Sequence, residues 1–255
     1  MLSIDNVEFE YEPLEHASIV SRDAIAETLI ARTNHYTNEL NISNLERIVV
    51  KHADLFETEL GLANYKIGTI TLSRKIAVNL IDVNSSLYNK ALSVFKHELY
   101  HFLDYQNLCA NLLGDRRADV QKVIEGYKCW TEFYATYMTF DVLEDTDLYA
   151  SFKHVFMDTK TKANDRKYYT SRLLGYYLQN GHSGECDRLV SKYLNRTLVG
   201  EIENQLRSML KGYPHMSTEQ YIKVLQLVEK VVIPEKKECK YTPISNADLW
   251  NLFHK

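Results

Sequence analysis

The 255-residue chain has little of what breaks helices. Its four prolines are Pro13, Pro214, Pro234 and Pro243, so 200 consecutive residues contain none, and glycine is held to nine. A chain so poor in breakers forms long uninterrupted helices. Cysteine is also scarce: Cys109, Cys129, Cys186 and Cys239 are scattered without a C-x-x-C pair, which excludes a disulfide scaffold and fits reduced thiols in a cytoplasmic protein. There is no excess of one charge. Thirty basic and 34 acidic side chains give a net charge of −4 without long like-charged blocks, so nothing offers the footprint of a phosphate backbone, and nucleic acid is not an expected partner. No apolar run of about eighteen residues exists to cross a membrane. The first twenty residues carry five acidic groups and no basic or apolar leader segment, so they do not read as a secretory signal.

What is present is the ordinary mixture of a folded protein, 45% apolar and 25% charged. A chain of this length buries most of its unfolded surface, so a core forms without metal or disulfide, and a metal site needs a reason other than stability. The N-terminal third mixes signals. Val7 to Glu12 alternates with period two, and Ser21 can cap a helix through Ile25, Leu29 and Ile30 towards Leu40. Ile48-Val49-Val50 and the stretch Ile67 to Val83 are rich in β-branched residues and alternate, which predicts a small antiparallel sheet. From Ser86 the period changes to 3.6. Helices are expected over 87–107 and 117–142, then near 148–158, 165–180, 184–194, 196–211 and 217–232. The fold class is therefore α+β and predominantly helical, with a small sheet, then two long helices, then a C-terminal helical bundle. The expected organisation is a catalytic domain over 1–145, a helical subdomain over 146–233 and a tail over 234–255.

The first long helix contains His97-Glu98-Leu99-Tyr100-His101. Histidines at i and i+4 place two imidazoles on one face, spaced to reach one tetrahedral Zn²⁺, and the glutamate between them can act as general base on a metal-bound water. Leu92, Phe95, Leu99, Phe102 and Leu103 form the apolar stripe of this helix, while His97, His101 and Asp104 lie opposite with Glu98 at the flank. The histidines are therefore not on the core stripe. Asp104 can accept the second N–H of a ligand imidazole, or it is a solvated carboxylate.

Zinc needs a third protein ligand. A histidine at the H-E-x-x-H-x-x-G-x-x-H position is absent, since Phe102 to Asn107 contain none. The second long helix offers Glu125 and Glu132. Its main apolar stripe is Val120, Val123, Tyr127, Trp130, Tyr134 and Met138, and both glutamates face away from it. Small residues surround Glu132 (Cys129, Ala135, Thr136, Thr139) and would allow close approach of another helix, whereas Glu125 has Gln121 and Lys128 beside it. Glu132 is favoured and Glu125 is the alternative.

His97-Glu98-Leu99-Tyr100-His101 followed on the next helix by Trp130-Thr131-Glu132-Phe133-Tyr134-Ala135 resembles the gluzincin zinc metallopeptidases, most closely the small intracellular ImmA/IrrE-like proteins of bacteria and phages. The resemblance spans about residues 67–140. It implies one Zn²⁺ per chain held by His97, His101 and Glu132, Glu98 as catalytic base, a protein or peptide substrate, and a strand pair before the motif helix that borders the substrate cleft. Tyr100 stands where that group often has glycine, and the second motif lacks the commoner Glu-x-Glu-Ala form. The same residues would serve a catalytically silent binding module or a hydrolase of a non-peptide amide. His154, Tyr168, Tyr169 and His182 are candidate donors to an oxyanion. Tyr168-Tyr169 and Tyr176-Tyr177 read as helix packing, and Leu249, Trp250, Leu252 and Phe253 as a segment docking on the protein's own surface.

Overall fold

The computed structural model describes residues 7–9, 22–51, 61–108, 117–139, 163–180, 184–194, 196–213 and 216–232. The expected helix at 148–158, the donors His154 and His182, and the tail all lie outside these residues. The chain divides into two compact units, Met1–Gln106 and Asn107–Lys255.

The first unit is a four-stranded sheet with helices. Its strands are β1 (Val7–Phe9), β2 (Arg47–Lys51), β3 (Gly61–Asn64) and β4 (Thr69–Ser73), in the order β1-β2-β4-β3. Only β3 and β4 pair antiparallel; β1–β2 and β2–β4 are parallel, so the sheet is mixed, not antiparallel as expected. The reason is β3. Gly-Leu-Ala-Asn has weak strand propensity, yet it folds back on β4 through the Tyr65–Gly68 turn and takes the outer edge, leaving β2 to pair with β4 in parallel. Gly68 makes that turn with a φ of 62°, and a Cβ there would meet the Asn44 carbonyl oxygen at 2.9 Å.

Helix α1 (Arg22–Leu40) links β1 to β2. It ends in a Schellman motif: Asn41 is left-handed at φ 54°, its N–H donates to the Asn38 carbonyl, and the Ile42 N–H donates to the Thr37 carbonyl. The expected strand through Val83 stops at Ser73. There the serine hydroxyl caps α2 (Arg74–Asn79) by accepting from the Ile76 N–H, and Ile76, Ala77 and Leu80 are buried. Arg32 of α1 then ties two elements together, donating to the Leu80 carbonyl at 2.9 Å and to the Tyr88 hydroxyl at 2.8 Å, at the start of α3 (Tyr88–Leu108).

The second unit is helical: α4 (Arg117–Thr139), α5 (Ala163–Asn180), α6 (Gly184–Tyr193), α7 (Arg196–Gly212) and α8 (Thr218–Val232). Its central helix is α4, which packs on both α5 and α8. Glu125 meets Lys167, Cys129 meets Ser171, and the Phe133 backbone meets Gly175, each pair 42 positions apart, so α4 and α5 lie side by side in the same direction. A Cβ on Gly175 would overlap the Phe133 carbonyl oxygen. The small residues around Glu132 thus have a partner within their own unit, the α5 backbone. Burial pushes the Cys129 thiol up to about 11, which leaves it protonated and inert at neutral pH. Trp130 is fully buried among Phe133, Tyr134 and Tyr213, and Tyr176 and Tyr177 are core residues as expected.

Two glycines separate packing from propensity. Gly126 lies against the backbone of α8, where a Cβ would stand 2.6 Å from the Leu225 carbonyl oxygen, whereas a Cβ on Gly200 of α7 meets nothing within 4 Å. Gly126→Ala is expected to destabilise the protein by about 1–3 kcal/mol through overpacking, and Gly200→Ala to stabilise it by about 0.5–1 kcal/mol. Equilibrium urea unfolding of the two variants checks both signs.

Candidate metal centre

Helix α3 carries His97, Glu98 and His101. It is fastened on two sides within the first unit. Tyr36 of α1 packs on Phe95 with ring centroids 6.3 Å apart, and the Lys96 ammonium lies 4.9 Å above the Tyr36 ring. From the β3–β4 turn, Tyr65 stacks on Tyr105 at 4.4 Å and meets Phe102 edge-on. At the helix C-terminal end the Gln106 side chain accepts from the Ser43 N–H and donates to the Asn41 carbonyl, which locks it to the Schellman turn of α1.

The expected apolar stripe is buried at Leu92, Phe95, Leu99 and Phe102. The opposite face is buried as well: His97 is 6% exposed, Glu98 7%, His101 7% and Asp104 0%. Exposed histidines and a solvated Asp104 are therefore both excluded. Burying two imidazoles and two carboxyl groups on one helix is unfavourable by several kcal/mol unless each finds partners. The His97 and His101 rings lie edge to face with centroids 4.7 Å apart, close enough to share one ligand-accepting ion.

Among the described residues one group could hold a metal ion. His97, His101 and Glu132 each offer one donor atom, and these atoms lie within 4.8 Å of one another. Donors of a tetrahedral zinc bound at about 2.0–2.1 Å stand about 3.4 Å apart, a spacing that small side-chain rotations reach from here. Two nitrogens and one carboxylate oxygen are also a donor set that zinc accepts while leaving a fourth position open. The three residues fit the ion.

Glu125, the alternative ligand, is committed elsewhere. It accepts from the Lys128 ammonium at 2.9 Å and from the Lys167 ammonium at 3.3 Å. Burial would raise its carboxyl, but the two lysines outweigh burial and hold it below the ordinary carboxylate range. Of the expected oxyanion donors, Tyr168 accepts from the Arg172 guanidinium at 3.2 Å and Tyr169 meets Tyr168 edge-on. Arg172, not singled out in the sequence, adjoins this site: its guanidinium lies 5.5 Å over the Tyr168 ring and feels the charge of Glu132. Lys167 and Arg172 sit on α5, one turn and a little more apart, and no local motif links them to glutamates some forty residues earlier.

No helix among the described residues is long and apolar enough to cross a membrane. Comparison with protein-family models, with curated proteins and with solved structures gives no match.

The two glutamates make separable predictions. Glu132→Gln should lower zinc affinity by about 10-fold or more, and Glu125→Gln should leave it unchanged; competition with a chromophoric chelator measures both. Because the folded carboxyl of Glu125 lies below its unfolded value, its contribution is present above the unfolded pKa and is lost as pH falls through the folded one. The stability difference between wild type and Glu125→Gln, at most about 1 kcal/mol for these partly exposed pairs, should therefore shrink on acidification from neutral pH. A difference that grows on acidification would contradict the assignment.

Proposed function

We propose that the protein is a zinc-dependent metallopeptidase of the ImmA/IrrE-like gluzincin kind, cleaving a peptide bond in a protein substrate in the cytoplasm. The observation that carries this reading is the convergence of two buried imidazoles and one carboxylate, with Glu98 beside them on the same helix. His97, His101 and Glu132 would hold the metal. When bound, zinc lowers the pKa of a water towards neutrality and polarises a carbonyl.

The chain's own residues supply the rest. Glu98 takes the proton of the attacking water as its oxygen bonds to the peptide carbon, and delivers that proton to the amine nitrogen as the C–N bond breaks. Burial of Glu98 keeps bulk water from competing for the proton. An extended substrate suits the strand edge: β3 is the last strand of the sheet, and its outer rim has no strand partner among the described residues. Placement in the cytoplasm is supported by Cys129 and Cys186, both buried and both thiols outside any disulfide among the described residues.

Elemental analysis of the purified protein should find about one zinc per chain, lost in His97→Ala. Glu98→Gln should keep the zinc and lower peptide hydrolysis by about two to four orders of magnitude. Absence of zinc from the wild type would overturn the reading, and an unchanged phenotype in Glu98→Gln would turn it into a binding module. Hydrolysis of acyl amides but of no peptide would assign the same residues to a non-peptide substrate.

A further inference from the structure

Gly61 opens the edge strand β3, paired with Leu72 of β4. A glycine in a strand costs about 0.5–1 kcal/mol relative to alanine, so its presence there has a cause. Conformation is not that cause: among the described glycines only Gly68 has a positive φ, and the Gly61 backbone is one that any residue adopts. Close approach is. A Cβ on Gly61 would stand 2.9 Å from Glu98 Oε1, 3.0 Å from Glu98 Cγ and 3.0 Å from Val94 Cγ1. Carbon atoms in good contact lie about 3.5–4.0 Å apart, so a methyl group does not fit unless something moves.

Val94 and Glu98 are successive turns on one face of α3. The head of β3 crosses that face, and the next residue, Leu62, points the other way and is 46% exposed. The bare Cα of Gly61 therefore forms one wall of the space in which the Glu98 carboxyl sits. Val94 is branched and held on a buried helix, whereas the Glu98 side chain has three rotatable bonds, so the carboxylate yields first to any group added at position 61.

We propose that Gly61 is a positioning residue for Glu98, fixing the carboxylate by the absence of a side chain on the strand that lies against it. This rests on the reading of Glu98 as the base beside a zinc site. A displacement of about 1 Å at such a group is enough to cost up to about 100-fold in rate. The consequence is separable from metal binding, because the atoms nearest a Cβ at position 61 belong to Glu98 and Val94, neither of which is among the three ligands.

The test uses the full-length chain loaded with zinc and titrated with acetohydroxamate, which binds zinc and hydrogen-bonds a neighbouring carboxylate. Isothermal titration calorimetry compares wild type, Gly61→Ala, Gly61→Ala/Val94→Ala, Glu98→Gln and Gly61→Ala/Glu98→Gln. Removing the Val94 contact relieves the strand of its other collision and isolates the effect on Glu98. Wild-type zinc content is expected in every variant. Both Gly61→Ala and Gly61→Ala/Val94→Ala should weaken acetohydroxamate by about tenfold, the loss of one hydrogen bond to a charged group. In the Glu98→Gln background Gly61→Ala should add nothing, since the two changes act on one contact. Wild-type affinity in Gly61→Ala/Val94→Ala, or a full additional loss in the Glu98→Gln background, would overturn the inference while leaving the metal site intact. A wild type without zinc would overturn the metallopeptidase reading and this inference with it.

Discussion

Burial of the polar face of α3 is the constraint on which the rest of the site depends. His97, Glu98, His101 and Asp104 are all below 10% exposure, on a helix whose opposite face is filled by Phe95, Leu99 and Phe102. A helix in this position would ordinarily be apolar all round. Placing imidazoles and carboxyl groups there forfeits the free energy that leucines would have contributed and adds a desolvation cost. A metal ion held by the two imidazoles and the Glu132 carboxylate, as proposed above, would offset that cost by serving all three donors at once. The size of the chain bears on the point: a core of this extent forms without a metal, so stability alone does not account for the polar face.

Position follows from how tightly α3 is fixed. The Tyr36 and Lys96 contacts, the Tyr65 stack and the Gln106 hydrogen bonds hold it at its middle and at its C-terminal end, all within one compact unit. A site built on side chains needs such support, since loose side chains lose their geometry. The second unit prepares Glu132 differently. There α4 is the central helix, clamped between α5 and α8 by glycines that let backbones touch, and Arg172 sets a positive charge near the carboxylate.

Much of the fold and of the site was legible because its signals are local. The i, i+4 histidines and the 3.6-residue period each act within one or two turns. The predominantly helical α+β class followed from few breakers and a short β-branched stretch. What was not legible depends on partners distant in the chain. The strand Gly61–Asn64 has poor intrinsic propensity and exists only because β4 offers an edge, and with it went the parallel direction of β2 and β4. The helix at Arg74–Asn79 falls where the alternation predicts strand, although Ser73 followed by Ile76, Ala77 and Leu80 carries a cap and a helical face. In the sequence, the small residues near Glu132 favour it over Glu125. Those residues do pack closely, but against α5, and what removes Glu125 is Lys167, 42 positions away.

The most direct test of the central claim is zinc K-edge X-ray absorption on the purified protein. The account predicts one zinc in a shell of nitrogen and oxygen donors without sulfur, with outer-shell scattering from two imidazoles. A protein that carries no zinc, or a zinc bound by sulfur, would contradict it.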